Sequence, residues 1–154
     1  MSLADAFVTL MEADTGAGGA ATLLTGGIYT YAETGRLGIN QQTTPSAWDA
    51  TTRKLKPCAV VKDRARVPDG GVTDDLEQLS SWRQVVEIYL YQDGDTDGSA
   101  LDTVADRLFV LFHGRRISSK ITHWANSIVS EREPALNRAH MNRIDFAVHG
   151  IQGV

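Results

Sequence analysis

The sequence predicts an α+β fold, a mostly antiparallel sheet packed with two or so helices, from three observations. Residues 82–91 alternate apolar and polar side chains with the period of a strand. Residues 99–112 repeat their apolar side chains with the period of a helix. The elements follow in the order helix, strands, helix, strands, with no internal repeat or low-complexity linker, so residues 1–154 read as one domain with long loops.

Ser2 precedes Leu3, Phe7, Leu10 and Met11, which are apolar residues at helical spacing behind a good N-cap. Asp5 lies in the first turn, where its charge complements the helix dipole. Thr15-Gly16-Ala17-Gly18-Gly19 ends this helix, Ala20 to Leu24 reads as another turn, and Gly26-Gly27 leads into a strand at Ile28-Tyr29-Thr30-Tyr31. From Ala32 to Lys56 the chain is polar and reads as a long loop. Cys58 to Val61 is a short apolar strand, and Asp63 to Ser81 is a second long polar segment carrying Asp74, Asp75 and Glu77. Loops of this length in a compact domain are uncommon unless they are functional or disordered.

In the next strand Trp82, Gln84, Val86, Ile88 and Leu90 should face the core, with Arg83, Val85, Glu87, Tyr89 and Tyr91 on the other side. Ser99 reads as the N-cap of the following helix, with Asp102 three residues on. Leu101, Val104, Ala105, Leu108, Leu111 and Phe112 form its apolar face. Gly114 ends it among His113, Arg115 and Arg116, a glycine where a left-handed residue is wanted and positive charge at the negative end of the dipole. Phe109 and Val110 extend the apolar arc beyond what a one-sided surface helix needs, which marks them as candidates for contact with another subunit. Two strands close the chain, from about Ile121 to Glu133 and from Asn142 to Ile151. In the second, Ile144, Phe146 and Val148 point one way while Arg143, Asp145 and His149 point the other.

Composition excludes more than it assigns. Hydrophobic content of 42% and charged content of 22% are those of an ordinary globular chain, and a formal charge of −4 gives no footprint for gripping nucleic acid. One cysteine, Cys58, cannot form an internal disulfide and sits in an apolar run, as a small buried hydrophobe in a reducing compartment would. No leader-like segment and no apolar stretch of membrane-spanning length is present, so a soluble product of the cytoplasm is expected.

The sharpest local motif is Asp93-Gly94-Asp95-Thr96-Asp97-Gly98, whose alternating carboxylates match the first half of an EF-hand calcium loop. Its twelfth position, where a bidentate Glu belongs, is Val104. A strand-to-helix turn is one reading, with Asp97 or Ser99 as the cap; a weak calcium or magnesium site on Asp93, Asp95 and Asp97 is the other. The four histidines lack zinc-ligand spacing: His113 reads as a helix end, His123 and His149 as strand residues near solvent, and His140 as a turn residue. There is no Gly-x-Ser-x-Gly, and Gly16, Gly18 and Gly19 lack the preceding strand and following Lys-Ser or Lys-Thr of a phosphate cradle. Arg115, Arg116 and Lys120 read as a solvated helix end or as a surface for an acidic partner or DNA phosphate. The acidic run at Asp74, Asp75 and Glu77 is equally open to two readings, and lining a channel it would keep DNA off the wall. No catalytic or cofactor-binding set emerges, so the expectation is a non-enzymatic protein that works through its surfaces.

An amino-terminal helix, Leu23-Leu24-Thr25-Gly26-Gly27-Ile28-Tyr29, a strand ending Val86-Glu87-Ile88-Tyr89-Leu90-Tyr91, a helix and two closing strands together resemble the tail terminator (tail completion) proteins of long-tailed bacteriophages. The resemblance spans most of the chain, although the loops at Ala32 to Lys56 and Asp63 to Ser81 are longer than the family's usual connections. It implies a structural virion protein: a hexameric ring that caps the tail tube and joins it to the head connector, with DNA passing through unbound. The partners implied are other copies of the chain, the tail tube protein and a head-completion protein. A ring needs one patch that binds a different patch on the next copy. Phe109, Val110, the strand side Tyr89 and Tyr91, and the long loops are the candidates, although tyrosines also belong on ordinary sheet surfaces. A head-completion or neck adaptor ring, and a calcium-dependent binding module on Asp93 to Asp97, are the alternatives.

Overall fold

A computed structural model describes residues 2–34, 38–68, 80–117 and 120–152. Ser2 starts the fold as expected: its hydroxyl accepts from the Asp5 N–H, and the Asp5 carboxylate accepts from the Ser2 N–H. This reciprocal cap satisfies two end groups that a helix cannot satisfy internally and opens α1 (Leu3–Ala13). After the glycine-rich turn come α2 (Ala20–Leu23), β1 (Ile28–Thr30) and a helical turn α3 (Tyr31–Thr34). The remaining elements are β2 (Cys58–Asp63), β3 (Val67–Pro68), β4 (Ser80–Gln92), α4 (Ser99–Phe112), β5 (Arg116–Ile117), β6 (Lys120–Glu133) and β7 (Ala139–Gln152).

The strands form one sheet in the order β1-β2-β4-β7-β6-β5, with β3 on β4 beyond the end of β2. Among the described strands only β1 and β2 run parallel; every other pairing is antiparallel. The α+β class and the mostly antiparallel sheet are therefore as the sequence predicts. β4 and β7 form the spine, paired from Ser80↔Gln152 to Gln92↔His140.

Helices α1 and α4 cover one face of this spine. Phe7, Met11, Leu101, Leu108 and Phe112 pack there on Val86, Ile88, Leu90, Ile144, Phe146 and Val148, all buried. Phe7 stacks on Phe112 with ring centroids 4.3 Å apart, and Phe146 lies 5.4 Å from Phe112. Asp14, just past α1, accepts two hydrogen bonds from the Arg107 guanidinium on α4, at 2.8 and 2.6 Å, and so ties the two helices together.

Three expectations need correction. Ser99 is the first residue of α4 rather than its N-cap; the cap position is Gly98, left-handed at φ 76°, and the Asp97 carboxylate accepts from the Ser99 N–H and hydroxyl. His140 lies in β7 opposite Gln92, not in a turn, because that strand begins three residues before the apolar alternation does. The stretch from Ala32 to Lys56 is not a plain loop. It contains α3, a 3₁₀ turn at Pro45–Ala47 and a bridge between Trp48 and Leu55. Its buried Ile39, Ala47 and Leu55 pack with Cys58, Val60 and Ala139 as a second core. Cys58 and Val60 alternate with Ala59 and Val61 of the first core, so this second core lies on the opposite face of the sheet. Burial pushes the Cys58 thiol up to about 12, in keeping with its role as a packed hydrophobe.

Candidate interaction surface

α4 carries its apolar arc past the core, as Phe109 and Val110 suggested. Phe109 is 41% exposed and Val110 68%. The Phe109 ring stacks on His113, centroids 4.7 Å apart, and meets the edge of Trp124 on β6 at 5.8 Å. Trp124 is itself 47% exposed, and Ile121 on the same strand 49%. His113 closes the arrangement, since its Nδ1 accepts from the Trp124 N–H at 3.1 Å, a geometry that leaves the proton of the neutral ring on Nε2. The result is an ordered aromatic cluster on the outside of the molecule, built by the last turn of a helix and the first half of a strand. Exposed apolar groups held in fixed geometry are what an interface core requires.

Among the described residues, the strand beneath the cluster has an open edge along most of its length. β5 pairs only with Lys120 and Ile121, and backbone groups of Gly114 and Arg115 bond Thr122. Beyond Trp124, no described strand lies on that side of β6, while β7 holds the other side through Glu133. Such an edge presents unpaired N–H and C=O groups to a partner, and register breaks at Trp124/Asn126 and Ile128/Glu131 twist it against indiscriminate pairing. Sequence reading missed Trp124, Ile121 and His113 as members of this surface. Apolar residues on a strand signal a buried face, and only the sheet order reveals that this strand has one neighbour along most of its length.

Tyr89 and Tyr91 are not on an open strand side. Their rings stack 6.4 Å apart, half-buried, and pack against the second core. Beside them, Glu87 was expected to point outward and is 1% exposed. The Arg64 guanidinium and the Tyr89 hydroxyl both donate to its carboxylate. Burial pushes the Glu87 carboxyl upward, but these two donors outweigh it and hold it below its ordinary value. Burial, and then the neighbouring Glu87, push the Tyr89 phenol up to about 12. Arg143 and Asp145 on β7 form a two-pronged pair at 3.0 and 2.9 Å alongside.

The Asp93–Asp97 segment is a turn in the structure. Asp93 Oδ1 accepts from the Asp95 N–H at 2.9 Å, Asp95 pairs with Lys54 at 3.7 Å, and Asp97 is engaged with Ser99. Val104, at the position where an EF-hand has its bidentate Glu, is buried in the first core. Among the described residues no group of three or more His, Cys, Asp or Glu side chains is placed to hold a metal ion. His123 and His149 stack on one another, centroids 4.6 Å apart. Arg115 and Arg116 are exposed at the end of α4, whereas Asp74, Asp75 and Glu77 lie outside the described residues. Among the described residues, no helix is long and apolar enough to cross a membrane.

No family model matches the chain, and no curated protein matches it.

Proposed function

We propose that this chain is the structural subunit of a ring in the virion of a long-tailed bacteriophage, capping the tail tube and joining it to the head connector. The observation that carries the reading is the ordered Phe109, His113 and Trp124 cluster beside the β6 edge that is open among the described residues. The ring contacts tie α4 to β6 within one chain, and the apolar surface they leave in water would give a subunit a preorganised contact. The order of elements and the Leu23–Tyr29 stretch that resemble the tail terminators support the same reading, with six copies and a lumen for DNA. A head-completion or neck adaptor ring would use the same surface and differs in which partner it meets.

Negative-stain images of the purified protein at high concentration test this, with and without tail tubes. Closed rings with a central hole, seated at one end of the tubes, are the expected result. A protein that stays monomeric under both conditions overturns the reading. Val110→Asp and Phe109→Asp should each abolish the rings; Val110→Asp should shift the melting temperature by no more than a few degrees, because Val110 stands mostly in solvent in the single copy, whereas Phe109→Asp also loses the ring contacts to His113 and Trp124. Rings that survive both substitutions would remove the cluster from the interface.

A further inference from the structure

The outer face of α4 changes character along its length. Asp106 is exposed one helical turn before the exposed Phe109 and Val110, so the acid and the two apolar side chains share one stripe. Trp124 of β6 lies against Phe109 and widens its apolar half. The Asp106 carboxylate forms no ion pair among the described residues. A docking partner for this stripe needs an apolar floor for Phe109 and Val110 and positive charge at its rim for Asp106.

The chain carries such a surface. A cleft of about 710 Å³ opens where β4 runs out and the β6–β7 connection turns. Its floor is apolar, formed by the buried Ile39 and Leu55 with Trp48 and Leu136. Arg53, Arg132 and Arg138 stand in its walls against Asp93 and Asp95, and Asp95 already pairs with Lys54 at 3.7 Å. Arg132 is engaged, since its Nη1 donates to the carbonyls of Gly94 and Arg138 at 2.8 and 3.2 Å. Arg53 and Arg138 are exposed and form no ion pair among the described residues. Both hold left-handed backbone, at φ 60° and 58°, which is disfavoured for residues with a Cβ and gathers where a binding site requires it.

The stripe cannot enter the cleft of its own chain. α4 is held on one face of the sheet by Leu101, Val104, Leu108 and Phe112, which are buried in the first core. The cleft floor belongs to the second core, on the opposite face, so the sheet stands between the two patches. We infer that the Asp106, Phe109 and Val110 stripe of one copy docks in the Arg53 and Arg138 cleft of the next. The apolar pair meets the floor, and the carboxylate meets two guanidinium groups that have no other acid. Two different patches join in this contact, which is the head-to-tail interface that rings are made from. The inference rests on the self-association in the ring reading and not on a tail role.

Reversed charges test it. One variant carries Asp106→Lys, the other Arg53→Glu and Arg138→Glu; all three side chains are exposed, and far-UV dichroism checks that both variants fold. In sedimentation velocity each variant alone should associate roughly tenfold or more weakly than the wild-type chain. An equimolar mixture should recover association, because the introduced lysine then meets the introduced glutamates while the unaltered stripe meets the unaltered cleft. A mixture that stays as weak as its components overturns the docking. Rings that persist through both reversals, or that are lost with Asp106→Lys and kept in the cleft variant, overturn the docking and leave the ring reading intact. Open filaments that both reversals break and the mixture restores support the docking and count against a closed ring. A wild-type chain that stays monomeric at high concentration overturns the docking, and the ring reading then stands or falls on the images with tail tubes.

Discussion

Gly98 shows how one backbone position joins two elements. Its φ of 76° is strained for a residue with a Cβ, and a Cβ there would come within 3.1 Å of the His140 Nδ1. That ring cannot readily withdraw, being buried in β7 with its Nε2 2.6 Å from the Thr96 carbonyl. Gly98→Ala should cost about 1–2 kcal/mol in denaturant unfolding from the left-handed backbone alone. An undiminished midpoint would show that the turn relaxes at no cost. The glycine is visible in the sequence, but the histidine across from it is forty-two positions away and only pairing of β4 with β7 brings it there. Glu87 poses the opposite case, a charge at a position read as outward that the fold has enclosed. Its carboxyl is held below its unfolded value, so the stability it contributes is present above the unfolded pKa and lost as pH falls through the folded one. Glu87→Gln should therefore cost about 1–3 kcal/mol at neutral pH, and the gap to wild type should close as pH falls below the ordinary carboxylate range and through the lowered folded pKa. Urea titrations across that range would show a constant gap if the carboxylate had no such role.

Among the elements, α1 and α4 are the most legible. Their caps, dipole charges and apolar spacing are local, and the structure has both within a residue of the expected start. What spacing cannot supply is the partner of each buried face. Phe7, Phe112 and Phe146 come from the first helix, the last helix and the last strand, and meet because the sheet places β7 beneath both helices. Phe112→Ala should destabilise the protein by about 3–5 kcal/mol in equilibrium unfolding, since the close-packed rings around it leave a cavity. A loss below 1 kcal/mol would mean that this core collapses freely around the gap. The alternation in β4 identified its core-facing set correctly, from Val86 to Leu90. It says nothing of what covers the other face, where Tyr89, Tyr91 and Glu87 lie.

At the scale of the whole molecule the sheet has two unlike ends. β1 is three residues long, and its Thr30 N–H is bonded by the Glu33 carboxylate; β6 is fourteen residues long and free of a described neighbour beyond Trp124. The proposed ring therefore predicts self-association through β6 and the rings beside it. The sequence by itself determined the α+β class, the two packed helices and the surplus apolar arc at Phe109 and Val110, because periodicity and caps act over a few positions. Only the tertiary structure decided that the stretch from Ala32 to Lys56 is a second core layer, that Glu87 is enclosed and that Trp124 joins Phe109 at an open edge. These depend on which strands neighbour which, and strand order is set by contacts between residues far apart in the chain.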